Sequence, residues 1–192
     1  MTRFIRVADS QAAQGDHLLG NAIARAKQGD MDALHYLYVR YADDVYGFVN
    51  SIVRDSHAAE DITQNVFGKL MNAIQRYEQR AVPFAAWILR VARNAALDHM
   101  RARRQIPVDE VRIDDEGHEQ TGFERSQCIR AALQRLPEDQ REVLVLRHVV
   151  GLGTGEVAEV LGVAEGTAKS HVSRGLARLR PLVENLREGE AR

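Results

Sequence analysis

The stretch TGEVAEVLGVAEGTAKSHVSRGLARL, residues 154–179, has the layout of a helix-turn-helix. Thr154 is placed to N-cap a first helix in which Val157, Ala158, Val160 and Leu161 recur at helical spacing, and Gly162 ends it. In the second helix Ala168, Val172, Leu176 and Leu179 share one apolar stripe, which is predicted to face the core. The opposite stripe carries Ser170, Arg174 and Arg178, flanked by Lys169 and Ser173. A helix inserted in the major groove needs that split, because Arg and Lys donate to guanine acceptors or phosphates while Ser serves either. An ordinary surface helix with a solvated charged face has the same pattern; the preceding helix and tight turn favour DNA binding.

Working outward, the 192 residues carry a formal net charge of -1, from 26 Lys and Arg against 27 Asp and Glu, so any nucleic-acid surface must arise by segregating the basic residues. With 45% hydrophobic and 28% charged residues the chain is of globular type, one large domain or two small ones. A single Cys128 supplies no disulfide framework. No run is long enough to span a bilayer, and the opening MTRFIRVADSQ lacks the apolar core of a signal peptide. A cytoplasmic protein without membrane insertion is expected.

Almost every pattern along the chain is helical, so the expected fold class is all-α. Leu18 to Ala26 suggests a first helix. Leu34, Leu37, Tyr38, Tyr41, Val45, Phe48, Val49 and Ile52 predict a long amphipathic one opened by Gly29 and Asp30. The next is predicted over 56–74, with Ile62, Val66, Leu70 and Ile74 as an apolar ladder and Asp61, Gln64 and Asn65 on its exposed face. After a break at 77–82, Pro83 suits the first turn of a helix reaching Arg104. That helix sets Phe84, Trp87, Ile88, Val91 and Ala95 against a cationic stripe of Arg90, Asn94, Arg101 and Arg104. Residues 105–124 then hold seven acids and one base, Arg112, with Pro107, Gly117 and Gly122 and no apolar period. This reads as a linker able to span about 70 Å when extended. The expected organisation is a tail over 1–15, a helical domain over 16–104, an acidic linker over 105–124, a helix-turn-helix domain over 125–187 and a tail over 188–192.

The segments Ala59 to Phe67 (AEDITQNVF), Pro83 to Asn94 (PFAAWILRVARN) and Asp98 to Arg101 (DHMR) resemble region 2 of the extracytoplasmic-function (ECF) sigma factors. Leu136 to Arg141 (LPEDQR) and Gly166 to Ser170 (GTAKS) resemble their region 4. The matches run in the family's order on either side of a linker of suitable length. The resemblance implies a promoter-specificity subunit with bacterial core RNA polymerase and promoter DNA as partners, no catalysis of its own and no cofactor, and it leaves room for an anti-sigma factor.

Three surfaces follow from the resemblance. Asp61, Gln64 and Asn65 correspond to the face that docks on the clamp helices of the polymerase's largest catalytic subunit, where an acidic and amide patch can pair with basic groups. The loop with Gln79 and Arg80 corresponds to the pocket for an unstacked base of the -10 element, and Arg90, Arg93, Asn94 and Arg101 would follow the strand's phosphates. Phe84 and Trp87 lie on the apolar stripe and are assigned to the core, which leaves Tyr77 as the stacking candidate. Thr167, Lys169, Ser170, His171, Ser173, Arg174 and Arg178 match positions on the helix that contacts the -35 element. The acidic linker would enter polymerase channels that otherwise hold nucleic acid, or be merely solvated.

Other classes fit less well. Gly151 to Gly155 follows a helix rather than a strand and lacks the Lys of a P-loop, and the seven His and Cys128 fall in no zinc spacing. A stand-alone helix-turn-helix regulator leaves the Ala59 to Phe67 and Phe84 to Arg101 blocks unexplained. A sigma mimic that titrates a regulator would not need the cationic stripes.

Overall fold

The computed structural model describes residues 17–78, 82–105 and 123–190, with side chains placed over 17–78, 82–103 and 129–184. The N-terminal tail, Gln79, Arg80 and most of the acidic linker lie outside the described residues. Every described element is helical: α1 over 17–27, α2 Met31–Val53, α3 Ser56–Gly68, α4 Leu70–Ala73, α5 Phe84–Gln105, α6 Phe123–Gln134, α7 Glu138–Leu144, α8 Thr154–Leu161 and α9 Glu165–Glu190. A 3₁₀ turn, Ile74–Arg76, follows α4, and a π-helical turn, Val145–Val149, follows α7.

Local chemistry sets the boundaries. Gly29, at φ 85°, breaks the chain after α1, and the Asp30 side chain caps α2 by accepting from the amides of Asp32 and Ala33 at 3.0 and 3.2 Å. Those amides and the adjacent Arg25 guanidinium hold the Asp30 carboxyl below its ordinary range. Along α2, Leu37, Tyr41, Val45, Phe48, Val49 and Ile52 are buried as the spacing predicts. Tyr38 is a correction: it is exposed, and packs edge-on against Phe67 with ring centroids 5.1 Å apart. The helix predicted over 56–74 is divided at Lys69, yet Ile62, Val66, Leu70 and Ile74 stay buried on one side. Pro83 stands just outside α5, its carbonyl accepting the first helical bond from Trp87 at 3.0 Å.

In the helix-turn-helix, Gly153 rather than Thr154 is the N-cap of α8. A glycine there leaves capping to the Glu156 carboxylate, which accepts from the Gly153 amide at 2.6 Å. Gly162 ends α8 at φ 69°. The inward stripe of α9 also differs from expectation. Ala168 is buried and Val172 half-buried, but Leu176 is exposed. Its neighbour Gly175 takes the inward place, because α7 approaches so closely that a Cβ at 175 would sit 3.1 Å from a Leu144 methyl carbon. We expect Gly175→Val to destabilise the chain by about 1 to 3 kcal/mol in thermal unfolding, as an overpacked contact; an unchanged midpoint would mean that α9 shifts freely.

The helices gather in two groups, α1–α5 and α6–α9, which pack on one another through α5 against α8 and α2 against α7. Buried apolar side chains of both groups join in one continuous core.

Candidate nucleic-acid and polymerase interfaces

Asp61, Gln64 and Asn65 are all exposed on α3, one turn apart, because the ladder of Ile62 and Val66 turns the opposite side inward. The Asn65 amide donates to the Asp61 backbone carbonyl at 2.8 Å, and the Asp61 carboxylate forms no ion pair with a described residue. Together they form an exposed acidic and amide face on α3.

The base of the 78–82 loop is an aromatic cluster. Phe84 lies between Tyr41 and Tyr77, each at 5.3 Å between centroids, with Trp87 against Tyr77 at 5.2 Å. Tyr77 is therefore a correction: its ring is 2% exposed and offers no face to a base. Its role is to close the loop. The Tyr77 hydroxyl, pushed up in pKa by burial and so firmly protonated, donates to the Val82 carbonyl at 2.9 Å. From α1, Lys27 donates to the Tyr77 carbonyl at 2.6 Å, and Gln75 donates back to the Lys27 carbonyl at 2.6 Å. Both ends of the segment holding Gln79 and Arg80 are thus fixed. Helical spacing misses this arrangement, because Tyr77 stands outside any helical period.

On α5, Asn94 and Arg101 are exposed and Arg90 half-exposed, with Arg101 paired to Asp98 at 3.0 Å in full solvent. Arg93 differs. Its guanidinium lies 2.7 Å from a carboxylate oxygen of Glu142 on α7, a side chain only 2% exposed. Burial pushes the Glu142 carboxyl up in pKa, and the attraction of Arg93 offsets this only in part. The second Glu142 oxygen, Oε1, is buried without a hydrogen-bond partner. Glu142 is one of the residues lining a cavity of about 70 Å³, with Arg93, Asp139, Leu161, Thr167 and His171. Beside it Arg141, 3% exposed, donates to the Leu136 carbonyl at 3.2 Å and to the Ser51 carbonyl at 2.7 Å. Ser51 lies in the last turn of α2, which has no basic residue of its own, so Arg141 satisfies a carbonyl left open at the helix C-terminus.

On α9, Thr167, Lys169, Ser173 and Arg174 are exposed and Ser170 is half-exposed. Arg174 donates to the Ser170 hydroxyl at 2.8 Å, and Lys169 pairs with Glu165 at 2.8 Å. Two expected DNA residues point elsewhere. His171 Nδ1 lies 2.9 Å from the Asp139 carboxylate, and Arg178 donates to the Gln140 side-chain carbonyl at 3.2 Å. Both brace α9 against α7. The outward-facing set on α9 is narrower than the sequence pattern, and no group of three or more potential ligands among the described residues is placed to hold a metal ion. Nor is any described helix long and apolar enough to cross a membrane.

Comparison with known proteins places two family models on the chain, sigma-70 region 2 over residues 37–106 and sigma-70 region 4 over 126–179. The RNA polymerase sigma factor CarQ of Myxococcus xanthus is 32% identical over 167 residues, covering 84% of this chain and 95% of that protein. The ECF RNA polymerase sigma factor ShbA of Streptomyces griseus is 33% identical over 186 residues, covering 87% and 96%. Among solved structures, the sigma factor RpoE of Bartonella quintana, in complex with the anti-sigma factor NepR, superposes with a TM-score of 0.63 at 26% identity, over 78% of this chain and 96% of that one.

Proposed function

The chain belongs to the sigma-70 family and is an RNA polymerase sigma factor of the ECF type, and from that premise we propose how its surfaces divide the work. The α3 face of Asp61, Gln64 and Asn65 docks on core polymerase. The loop at 78–82, with Gln79 and Arg80, receives an unstacked base of the -10 element, and Arg90, Arg93, Asn94 and Arg101 hold the strand's phosphates. Lys169, Ser170, Ser173 and Arg174 read the -35 element in the major groove. The protein supplies specificity to the polymerase's chemistry rather than catalysis of its own, and it works in the cytoplasm. An anti-sigma protein is a further partner, as the Bartonella quintana relative has one.

The observation that carries this reading is the exposed polar and cationic face of α9 together with the cationic stripe of α5, on separate helical groups joined in sequence by a long acidic segment. The -35 and -10 elements lie, by their own labels, about 25 base pairs apart, or roughly 85 Å along B-form DNA. A compact chain of this length has a radius of gyration of about 16 Å and a diameter of roughly 40 Å. Reading both elements therefore requires the two groups to separate, and a linker reaching about 70 Å allows it.

The test is whether the purified chain co-elutes with bacterial core RNA polymerase and directs initiation from a promoter library. DNA binding without polymerase binding would instead indicate a stand-alone regulator. Within the library, Arg174→Ala is expected to lose about 1 to 3 kcal/mol of discrimination at its -35 position, seen as relaxed base preference there. Retained preference would remove Arg174 from the reading set.

A further inference from the structure

We propose that Lys27, on α1 and outside both matched family regions, is a positioning residue for -10 base preference, because it fixes the direction in which the chain enters the 78–82 loop. The proposal rests on the reading of that loop as the pocket for an unstacked -10 base. Lys27 Nζ donates to the Tyr77 carbonyl at 2.6 Å, and the Gln75 side-chain amide donates to the Lys27 carbonyl at 2.6 Å. These bonds join residues 50 and 48 positions apart. Each serves a carbonyl that its own backbone leaves open. Lys27 is the last residue of α1, where the final carbonyls have no partner within the helix. Tyr77 follows the 3₁₀ turn with an extended backbone, φ -77° and ψ 127°, which takes its carbonyl out of the helical ladder.

The peptide unit between Tyr77 and Glu78 is a rigid plane, so holding its oxygen sets the path of the chain towards Gln79 and Arg80. The Tyr77 ring is wedged against Phe84 and Trp87, and its hydroxyl holds the Val82 carbonyl at 2.9 Å. With the ring held, the freedom left at residue 77 is rotation about ψ, which swings the carbonyl. Lys27 removes that freedom. An ammonium donating to a carbonyl is a charge-assisted bond, roughly twice as strong as one between neutral groups, and Lys27 is half-buried, where water competes less. The donor also projects from a fixed support, since Ala22, Ile23 and Ala26 of α1 are buried in the core. A site that discriminates between bases needs its groups held to within about 0.5 Å, and such precision comes from a supporting contact of this kind. Gln75 completes the clasp by anchoring the end of α1 to the 3₁₀ turn itself.

The test uses the full-length chain with core polymerase and the promoter library. A reference variant carrying Gln79→Ala and Arg80→Ala identifies the -10 position that the loop reads. Lys27→Met keeps the apolar stem and removes the donor, Lys27→Arg keeps a charged donor, and Tyr77→Phe keeps the ring while freeing Val82. Relative base preference within one library does not depend on the amount of folded protein, so a merely structural role leaves it unmoved. We expect Lys27→Met to reduce preference at that position about fivefold or more, Lys27→Arg to stay near the parent, Tyr77→Phe to act on the same position, and -35 preference to hold in all three. Unchanged -10 preference in Lys27→Met, an equal loss from every promoter, or a Lys27→Arg variant no better than Lys27→Met overturns the proposal and reduces the clasp to a tie between α1 and the core. If the reference variant itself leaves -10 preference unaltered, the reading of the loop falls and the proposal with it.

Discussion

Phe84→Ala is expected to cost about 3 to 5 kcal/mol in urea or thermal unfolding, a large share of the 5 to 15 kcal/mol typical of a domain. Phe84 is 2% exposed and its ring touches Tyr41, Tyr77 and Trp87, linking α2, the residue that follows the 3₁₀ turn and α5. Truncation leaves a void among rings that cannot collapse, because each is held by a separate element. The consequence extends to function. Tyr77 closes the 78–82 loop through Val82 only while its ring is wedged against Phe84 and Trp87. Promoter opening should therefore fall more steeply than binding to a -35 duplex, in parallel assays on the same preparation. A loss below about 1 kcal/mol would show that the cluster relaxes and does not anchor the loop.

Asp61→Arg is expected to weaken assembly with core polymerase by about a hundredfold or more, read by competitive titration against the parent chain. Reversing a charge at a complementary interface adds repulsion to the lost attraction and costs several kcal/mol. The folded chain should hardly notice. Asp61 is exposed and takes part in no described ion pair, and surface changes of that kind usually stay within about 0.5 kcal/mol. That contrast separates docking from stability: lost assembly at an unchanged unfolding midpoint supports the α3 face, while unchanged assembly removes it from the docking surface.

Much of the local architecture was legible because it depends on neighbours three and four residues away. The stripe of α2, the ladder from Ile62 to Ile74, the Asp30 cap and the Gly162 stop all obey rules of one helix against one apolar environment. Exposure of Asp61, Gln64 and Asn65 followed from the same rule. Periodicity failed where distance to a particular neighbour decided the outcome. It ranks Leu176 above Gly175 for the core, yet Leu144 comes too near to admit a side chain. It leaves Tyr77 free to stack, yet the ring fills the corner where the chain turns into α5. It sets His171 and Arg178 beside the reading face, yet Asp139 and Gln140 draw them back to α7.

By itself, the order of residues determined the all-α class, the two helical groups, the acidic segment between them and the family, since these rest on spacing and motif within each segment. Tertiary structure alone decided which charges remain available. Arg93 and Glu142 are 49 positions apart, on two different helices. Only the packing of α7 and α8 on α2 and α5 puts them in contact and takes water away. A linker that permits any separation up to about 70 Å carries no signal for that meeting, because the Coulomb energy deciding it depends on distance in space and on burial, neither of which is written in local sequence.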